Sequence, residues 1–263
     1  MHEARRPRGH VGLAPAKVRL VRILVTNDDG VYSPGIRVLA EVASTFGEVR
    51  IVAPDLEQSS VAHAVTASRP LSYRRARVGP FEAFRVNGTP ADCVGLGLYV
   101  WGAVDVVFSG LNLGLNVGNA MWHSGTLAAA KQASLLGIRG VAFSAPDTGD
   151  EANYTAIRPH LERVIARLLE LPQLTLTNVN FPQNARGVRF TRQSVRHYEG
   201  RIEQAHDPQG REIYWFVPRP VGPAEVGTDR WAIEQELVSI TPLRLELTDH
   251  RALEKLIETG AGF

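Results

Sequence analysis

Two adjacent aspartates follow a short apolar segment of the chain. Residues 21–26 read VRILVT, and Asn27, Asp28, Asp29 and Gly30 come next. Two ionised carboxylates about 4 Å apart repel each other by about 4 kcal/mol at an effective dielectric constant of about 20, unless one keeps its proton with a raised pKa. A divalent cation removes this conflict. The nearby candidate ligands carry oxygen and no Cys/His cluster is present, so Mg²⁺, Mn²⁺ or Ca²⁺ fits better than structural Zn²⁺.

The same Asp-Asp-Gly sequence also has a purely structural explanation. Asp28 and Asp29 could cap a helix or form an Asx turn around Gly30, which is the more common outcome for an isolated Asp-Asp-Gly. The metal hypothesis therefore depends on other polar residues that reach the same place.

Ser124, Gly125 and Thr126 form a second group suited to chemistry, because they directly precede the helical pattern LAAAKQASLLG. Backbone N–H groups and hydroxyls at a helix N-terminus bind phosphate readily. Ordinary N-capping by Ser124 or Thr126 is the alternative for an isolated Ser-Gly-Thr. The phosphate hypothesis gains weight only if this helix start lies beside the two aspartates.

A glycine-rich segment at residues 109–118, SGLNLGLNVG, is the third group. Its glycines do not follow the Gly-x-Gly-x-x-Gly spacing of a dinucleotide site, and it lacks the Gly-Lys-Ser/Thr of a Walker A loop. Asn112 and Asn116 present amides whose carbonyls could ligate a metal and whose N–H groups could hold phosphate. A plain glycine-rich surface loop is the alternative.

Alternating strand-like and helical segments must position these groups. Single strands are predicted at VRILVT, EVRIVAP, AVDVVFSG, IRGVAFS and LTLTNVNFP. A hairpin-like pair of strands is predicted at HAVTASRPLSY and FEAFRVNG. Helices are predicted after Ser33-Pro34, after Thr89-Pro90 and over GTLAAAKQASLLG. This order predicts an α/β fold with a Rossmann-like, mostly parallel sheet and helices on both faces. Ligands bind outside the carboxyl ends of such strands, where all three groups fall.

The two ends of the chain differ from this alternation. Residues 1–20 are basic, contain Pro and Gly, and are predicted to form a mobile extension. Residues 21–263 are predicted to form a single α/β domain. Within it, residues 187–220 have strand patterns without a clear helix, which indicates an antiparallel, β-rich arm.

The composition gives no indication of a nucleic-acid or membrane partner. A formal net charge of +2 in 263 residues does not indicate a nucleic-acid polymer or a membrane surface as partner. No apolar run approaches the roughly 20 residues that span a bilayer. Cys93 is the only cysteine, which precludes an internal disulfide and suits a cytoplasmic location. Cys93 itself lies in an apolar helical pattern and is predicted to be a core residue.

Six segments taken in order resemble the SurE family of metal-dependent nucleotidases: ILVTNDDG, GIRVLAE, VAPDLEQSS, NGTPADCV, VDVVFSGLNLGLNVG and HSGTLAAAKQA. The resemblance runs from about Arg22 to Ser144 and continues more weakly through TNVNFP and TDRWAIEQELVSITPL. It implies one divalent metal ion per subunit, Mg²⁺ or Mn²⁺, with Ca²⁺ as a substitute in crystals. The ligands implied are Asp28, Asp29, Ser59 and Asn112, and the phosphate-binding residues implied are Asn116, Ser124, Gly125 and Thr126.

The resemblance also implies an activity. This is the release of phosphate from nucleoside 5′- and 3′-monophosphates, with short polyphosphate as a further substrate, by homodimers or homotetramers that exchange C-terminal arms. Asp28 and Asp29 would be the catalytic residues, mainly as metal ligands, with one of them a candidate base. The attacking water could be activated by the metal or by an aspartate. Two alternatives stay open: a nucleotide-binding sensor, and a haloacid-dehalogenase-like phosphatase with an aspartyl-phosphate intermediate, although such enzymes use Asp-x-Asp.

Several aromatic residues are harder to assign. His123 stands where many members of the family have tyrosine, and we expect it to replace the tyrosine hydroxyl rather than to donate a proton. Large aromatics most often pack in the interior, and we expect this of three that could instead stack on a base: Tyr32, Trp122 and Trp215. His63 and His197 have no partner visible in the sequence and are expected to be ordinary structural histidines.

Overall fold

The fold is that of a computed structural model, which describes residues 20–147, 152–195 and 198–260. The predicted extension, residues 1–20, lies outside these ranges except for Leu20. The strands are β1 (Val21–Thr26), β2 (Gly47–Pro54), β3 (Tyr73–Val78), β4 (Phe81–Val86), β5 (Val106–Leu113), β6 (Arg139–Ala145), β7 (Leu176–Asn180), β8 (Gly187–Phe190), β9 (Tyr198–His206), β10 (Glu212–Pro220) and β11 (Leu237–Pro242). The helices are α1 (Pro34–Ala43), α2 (Pro90–Trp101), α3 (Gly125–Leu135), α4 (Ala152–Leu169), α5 (Asp229–Glu234) and α6 (His250–Glu258), with a short 3₁₀ helix, η1, at Gly118–Trp122.

Nine strands form one sheet in the order β3-β4-β2-β1-β5-β6-β7-β11-β8. The six neighbouring strands from β4 to β7 are all parallel. Among the described strands of this sheet, β3 on β4 and β11 on β7 are the antiparallel pairs, while β8 is parallel to β11. The prediction of a mostly parallel sheet is therefore confirmed.

Helices cover both faces of the sheet, as predicted. Adjacent strand residues point to opposite faces, so Val25 belongs to the apolar cluster under α1 and α4, while Leu24 belongs to the cluster under α2 and α3. Cys93 is fully buried in the second cluster, which confirms its assignment to the core. None of the described helices is long and apolar enough to cross a membrane.

The predicted helix starts are correct, but the two capping residues behave differently. Thr89 forms a capping box with Asp92 in front of Pro90. Ser33 precedes Pro34 as predicted but makes no side-chain cap to α1. Its hydroxyl instead accepts a 2.7 Å hydrogen bond from Nδ2 of Asn27, so it supports the segment that carries the two aspartates.

The strand predicted at HAVTASRPLSY is wrong over its first ten residues, because β3 begins only at Tyr73. The backbone of residues 63–72 is held by side chains rather than by a neighbouring strand. The N–H of Thr66 donates to Asp92 at 2.9 Å, and that of Ser72 donates to Asn87 at 2.7 Å. The hairpin-like pairing of β3 with β4 is as predicted.

The arm predicted at residues 187–220 is also shorter than expected. Residues Gly187–Phe190 form β8, which pairs in parallel with β11 at one end of the main sheet, so the antiparallel prediction is wrong for this strand. Its partner follows about fifty residues later, a pairing that no local pattern reveals. β9 and β10 do form an antiparallel hairpin outside the main sheet, as predicted.

Candidate active site

The carboxylate of Asp28 lies against the first turn of α3. Its Oδ1 accepts a 2.5 Å hydrogen bond from the hydroxyl of Thr126, and the backbone of Thr126 and Gly125 adds further hydrogen bonds. A Cβ at Gly125 would lie 2.8 Å from Oδ2 of Asp28, so the contact requires glycine. Burial raises the pKa of Asp28, which is 5% exposed, and these hydrogen bonds partly oppose the increase.

Asp29 lies beside Asp28, but its carboxylate has fewer hydrogen-bond partners. Burial and the charge of Asp28 raise its pKa to about 7, and Glu57 and Asp147 contribute in the same direction. A hydrogen bond from the backbone of Leu113 stabilises the carboxylate in part. Its Oδ2 is buried and has no hydrogen-bond partner among the described residues. A buried, unpartnered carboxylate oxygen beside a second carboxylate fits the requirements of a hard cation.

Two further oxygen ligands implied by the family resemblance lie on adjoining elements. The loop after β2 is fixed by a 2.7 Å hydrogen bond from the N–H of Gln58 to the carbonyl of Asp28, which brings the next residue, Ser59, to the same edge. The hydroxyl of Ser59 donates to Glu57 at 2.5 Å. Asn112, near the end of β5, donates from Nδ2 to the carbonyl of Gly114 at 2.7 Å. This bond uses the amide nitrogen, so its carbonyl oxygen is the end that could ligate a cation.

Acidic and imidazole side chains alone would not complete a metal site. Among the described residues, no group of three or more His, Cys, Asp and Glu side chains could hold a metal ion. A cation at Asp28 and Asp29 would therefore need neutral oxygen ligands, such as those of Ser59 and Asn112.

Asn116 is part of a buried amide network that fixes the glycine-rich loop. Its backbone N–H donates to Oδ1 of Asn180 at 2.8 Å, and its carbonyl accepts from Nδ2 of Asn178 at 2.7 Å. Its side-chain Nδ2 donates to Ser144 at 2.9 Å. β7 therefore holds the main chain of Asn116, and β6 holds its side chain.

Gly125 and Thr126 at the start of α3 contact Asp28, which lies beside Asp29, as the phosphate hypothesis requires, but the Thr126 hydroxyl and the Ser124 Oγ already make hydrogen bonds within the protein. Ser124 caps α3 by accepting a 3.0 Å hydrogen bond from the N–H of Leu127, and Thr126 is fully buried against Asp28. The positive end of the α3 dipole therefore acts first on Asp28. A direct phosphate contact by these residues stays a prediction.

Two supporting residues were missed by sequence reasoning. Nδ2 of Asn27 donates to the carbonyl of Gly30 at 3.0 Å and so fixes the Asp-Asp-Gly turn. Asp229, at the start of α5, is fully buried and accepts from the N–H of Gly118 at 2.8 Å and from the N–H and hydroxyl of Ser194. Asn27 was detectable, since asparagine commonly bonds to nearby backbone in turns. Asp229 was not, because its partners Ser194 and Gly118 lie 35 and 111 residues away in the sequence.

The three aromatic residues expected to pack in the interior do not. Tyr32, Trp122 and Trp215 are 66%, 54% and 60% exposed, so that expectation is wrong for each. His63 does have a partner, because its Nε2 lies 2.8 Å from Oε1 of Gln132. His123 is exposed, and its carbonyl accepts from the N–H of Ala62 at 3.0 Å. The remaining predicted histidine, residue 197, lies outside the described residues.

Comparison with known proteins identifies the family of the chain. The family model described as Survival protein SurE matches residues 23–200. A relative named 5'-nucleotidase SurE 1, from Thermus thermophilus, is 45% identical over 244 residues, which cover 90% of this chain and 96% of the relative. A 5'-nucleotidase SurE from Geobacter metallireducens is 42% identical over 90% of this chain and 96% of its own length. The crystal structure of the SurE protein from Aquifex aeolicus matches 91% of this chain and 99% of its own, with 36% identity and a TM-score of 0.78. The chain belongs to the SurE family.

Proposed function

We propose that the protein is a metal-dependent phosphomonoesterase, a 5'-nucleotidase that releases phosphate from nucleoside monophosphates. The relatives at 42–45% identity carry this activity in their names. The observation in the structure that carries the proposal is the unpartnered Oδ2 of Asp29 next to the buried carboxylate of Asp28. Both lie at the carboxyl edge of the parallel strands, where ligands of such sheets bind.

The metal ligands of the proposal are Asp28, Asp29, Ser59 and Asn112, and the metal is Mg²⁺ or Mn²⁺. When bound, the cation would supply positive charge for the oxygens of the phosphoryl group. Two acids and two neutral oxygens suit a hard cation. The ligand geometry is supported by hydrogen bonds from residues that do not contact the metal, above all Thr126 on Asp28.

The chain's own groups act mainly by positioning, as is usual in phosphoryl transfer. We propose that the phosphate binds at the start of α3 and beside the amide of Asn116, where the helix dipole favours negative charge. The proposed phosphate residues are Asn116, Ser124, Gly125 and Thr126. We further propose that a carboxylate oxygen of Asp29 orients the attacking water, and that the nucleoside leaves as an alcohol.

A phosphate-release panel tests this proposal. Purified protein is incubated with 5′-AMP, 5′-GMP, 3′-AMP and short polyphosphate, each with Mg²⁺, Mn²⁺ or EDTA. We expect turnover of the nucleoside monophosphates with metal and none with EDTA. Nucleotide binding without phosphate release would instead favour a sensor, and a trapped aspartyl-phosphate would favour the haloacid-dehalogenase-like mechanism. Undiminished turnover in EDTA would refute the metal-dependent proposal.

A homo-oligomer is the proposed assembly, a dimer or a tetramer built partly through the β9–β10 hairpin. The hairpin stands apart from the main sheet and carries four exposed apolar side chains: Ile202, Tyr214, Trp215 and Phe216. Light scattering on the full chain tests this, with Phe216→Ser as the variant. We expect a defined oligomer that the substitution weakens; a monomeric wild-type protein would contradict the proposal. The single, buried cysteine is consistent with the cytoplasmic location that we also propose.

A further inference from the structure

Trp122 presents a large exposed ring close to the candidate active site. It is the last residue of η1 and lies two residues before Ser124, the cap of α3. Two residues of chain span at most about 7 Å, so the ring stands near the helix start that holds Asp28. About half of its surface, 54%, is exposed.

The backbone that carries Trp122 is held on both sides. Met121, just before it, is 4% exposed and belongs to the apolar cluster under α3. His123, just after it, donates its N–H to the carbonyl of Ala120 at 3.1 Å and accepts from Ala62 at 3.0 Å. The exposure of the indole is therefore a feature of a fixed segment.

One face of the indole is covered by a cation. Nζ of Lys131, one and a half turns into α3, lies 5.4 Å from the centroid of the ring. Lys131 makes no ion pair with a described acidic residue, and burial lowers the pKa of its ammonium group. Lys131 therefore lies over one face of the ring, so a base could stack only on the opposite face.

The loop that carries Ser59 adjoins the same place. Ala62 is bonded to His123, and His63 contacts Gln132, the neighbour of Lys131 on α3. The loop and the ring therefore border one region beside Ser124. A nucleoside monophosphate has its base one ribose away from its phosphate, so a phosphate at the start of α3 would bring the base within reach of the ring.

We propose that Trp122 is the platform on which the base of a nucleoside monophosphate stacks, with Lys131 holding the indole from its other side. The inference rests on the proposed function, because it takes the phosphate to bind beside Ser124. It makes Trp122 a specificity-determining residue: the protein would distinguish nucleotides from base-free sugar phosphates mainly through this ring. Every base has a π face, so the platform would favour nucleotides as a class.

A pair of matched substrates tests the proposal by kinetics. 5′-AMP and ribose 5-phosphate differ only in the base. We expect Trp122→Ala to lower the ratio of kcat/KM for 5′-AMP over ribose 5-phosphate about fivefold or more, the range for loss of one base–aromatic stack, chiefly through KM for 5′-AMP. Trp122→Phe should recover most of the ratio. Tyr99→Ala, an exposed aromatic at the far end of α2, is the control and should leave it unchanged.

An equilibrium measurement separates this proposal from the proposed activity. Adenosine has no phosphate to release, so its binding is independent of turnover. We expect adenosine to quench tryptophan fluorescence saturably in wild type and in Trp215→Phe, and not in Trp122→Phe. An unchanged substrate ratio in Trp122→Ala, or equal quenching in all three proteins, would overturn the platform. A base-selective loss in Tyr32→Ala with none in Trp122→Ala would overturn it as well.

Discussion

The hydroxyl of Thr126 donates a 2.5 Å hydrogen bond to the carboxylate of Asp28, across 98 residues of sequence. The bond joins the first turn of α3 to the end of β1 in the interior of the protein. It leaves Asp28 with a fixed orientation in which one carboxylate oxygen is committed to the protein. The other groups of the site are therefore arranged around an acid that cannot rotate freely.

Thr126→Val tests the importance of this bond. Valine has nearly the same shape but no donor, so Oδ1 of Asp28 loses its closest partner. We expect metal-dependent turnover to fall about 10–100-fold, as is common when a group supporting a metal ligand is lost. Thr126→Ser keeps the hydroxyl and serves as the control. Equal activity of the valine and serine variants, measured at saturating metal, would show that the bond does not matter for turnover.

Gly125→Ala tests the close approach of α3 to Asp28. The added methyl group would lie 2.8 Å from Oδ2 of Asp28, so either the acid or the helix must move. We expect loss of most activity with the helix still folded, as judged by circular dichroism. Gly95→Ala, in α2, has no heavy atom within 4 Å of the new Cβ. That variant should keep full activity and gain up to about 1 kcal/mol in stability.

Asp29→Asn should separate stability from activity. At about pH 8, above its pKa of about 7, Asp29 is charged in the metal-free protein, and its Oδ2 has no partner among the described residues. Removing the charge of residue 29 should raise the free energy of unfolding of the EDTA-treated, metal-free protein by about 1–3 kcal/mol, the range for relieving an unsatisfied buried polar group. The same substitution should abolish turnover. Thermal unfolding with EDTA and with Mn²⁺ measures this. Wild type should gain stability from the metal and the variant should not; near wild-type phosphatase activity in the variant would contradict its assigned role.

Asp92→Asn should give a pH-dependent loss of stability. Burial raises the pKa of Asp92, but hydrogen bonds from Thr66 and Thr89 outweigh burial and lower the pKa below its ordinary value of 3.8. A lowered folded-state pKa gives stability that is present above pH 3.8 and lost as the pH falls through the folded value. We expect the variant to be less stable than wild type by about 1–3 kcal/mol near pH 7. Urea unfolding should show the difference narrowing in acid; a difference independent of pH would contradict the charge-based explanation.

The general position of the candidate site was predictable from sequence. Asp28 and Asn112 each follow a strongly apolar run, and the carboxyl ends of neighbouring parallel strands necessarily meet at one edge. β1 and β5 are neighbours in the sheet, so this geometric rule was sufficient. The start of α3 was predictable for a similar reason, because a capping residue before a helix-forming sequence is a local signal.

The hydrogen bonds within the site were not predictable in the same way. Sequence patterns show which groups can donate, but not that Thr126 donates to Asp28, because that choice depends on how α3 packs on the sheet. Asp229 and Gly118 are 111 residues apart in the sequence, and no periodic pattern of residues indicates that they are in contact. The exposure of Trp122 was missed for a related reason: residue type alone favours burial, and only the position of the buried Met121 turns the next side chain outward. The organisation of residues 21–263 as one domain stays a prediction.

The proposed metal ligands and the residues that support the loop around Asn116 come from different halves of the sequence. All proposed metal ligands precede residue 113, whereas Asn178, Asn180 and Asp229, in the second half of the chain, hold the loop that follows. Cleavage of the chain after β6 would thus leave every proposed metal ligand on one fragment and place Asn178 and Asn180, which hold Asn116, on the other. Damage to the second half of the chain, far from the reacting atoms, could therefore inactivate the protein, because the loop beside the site depends on contacts from that half.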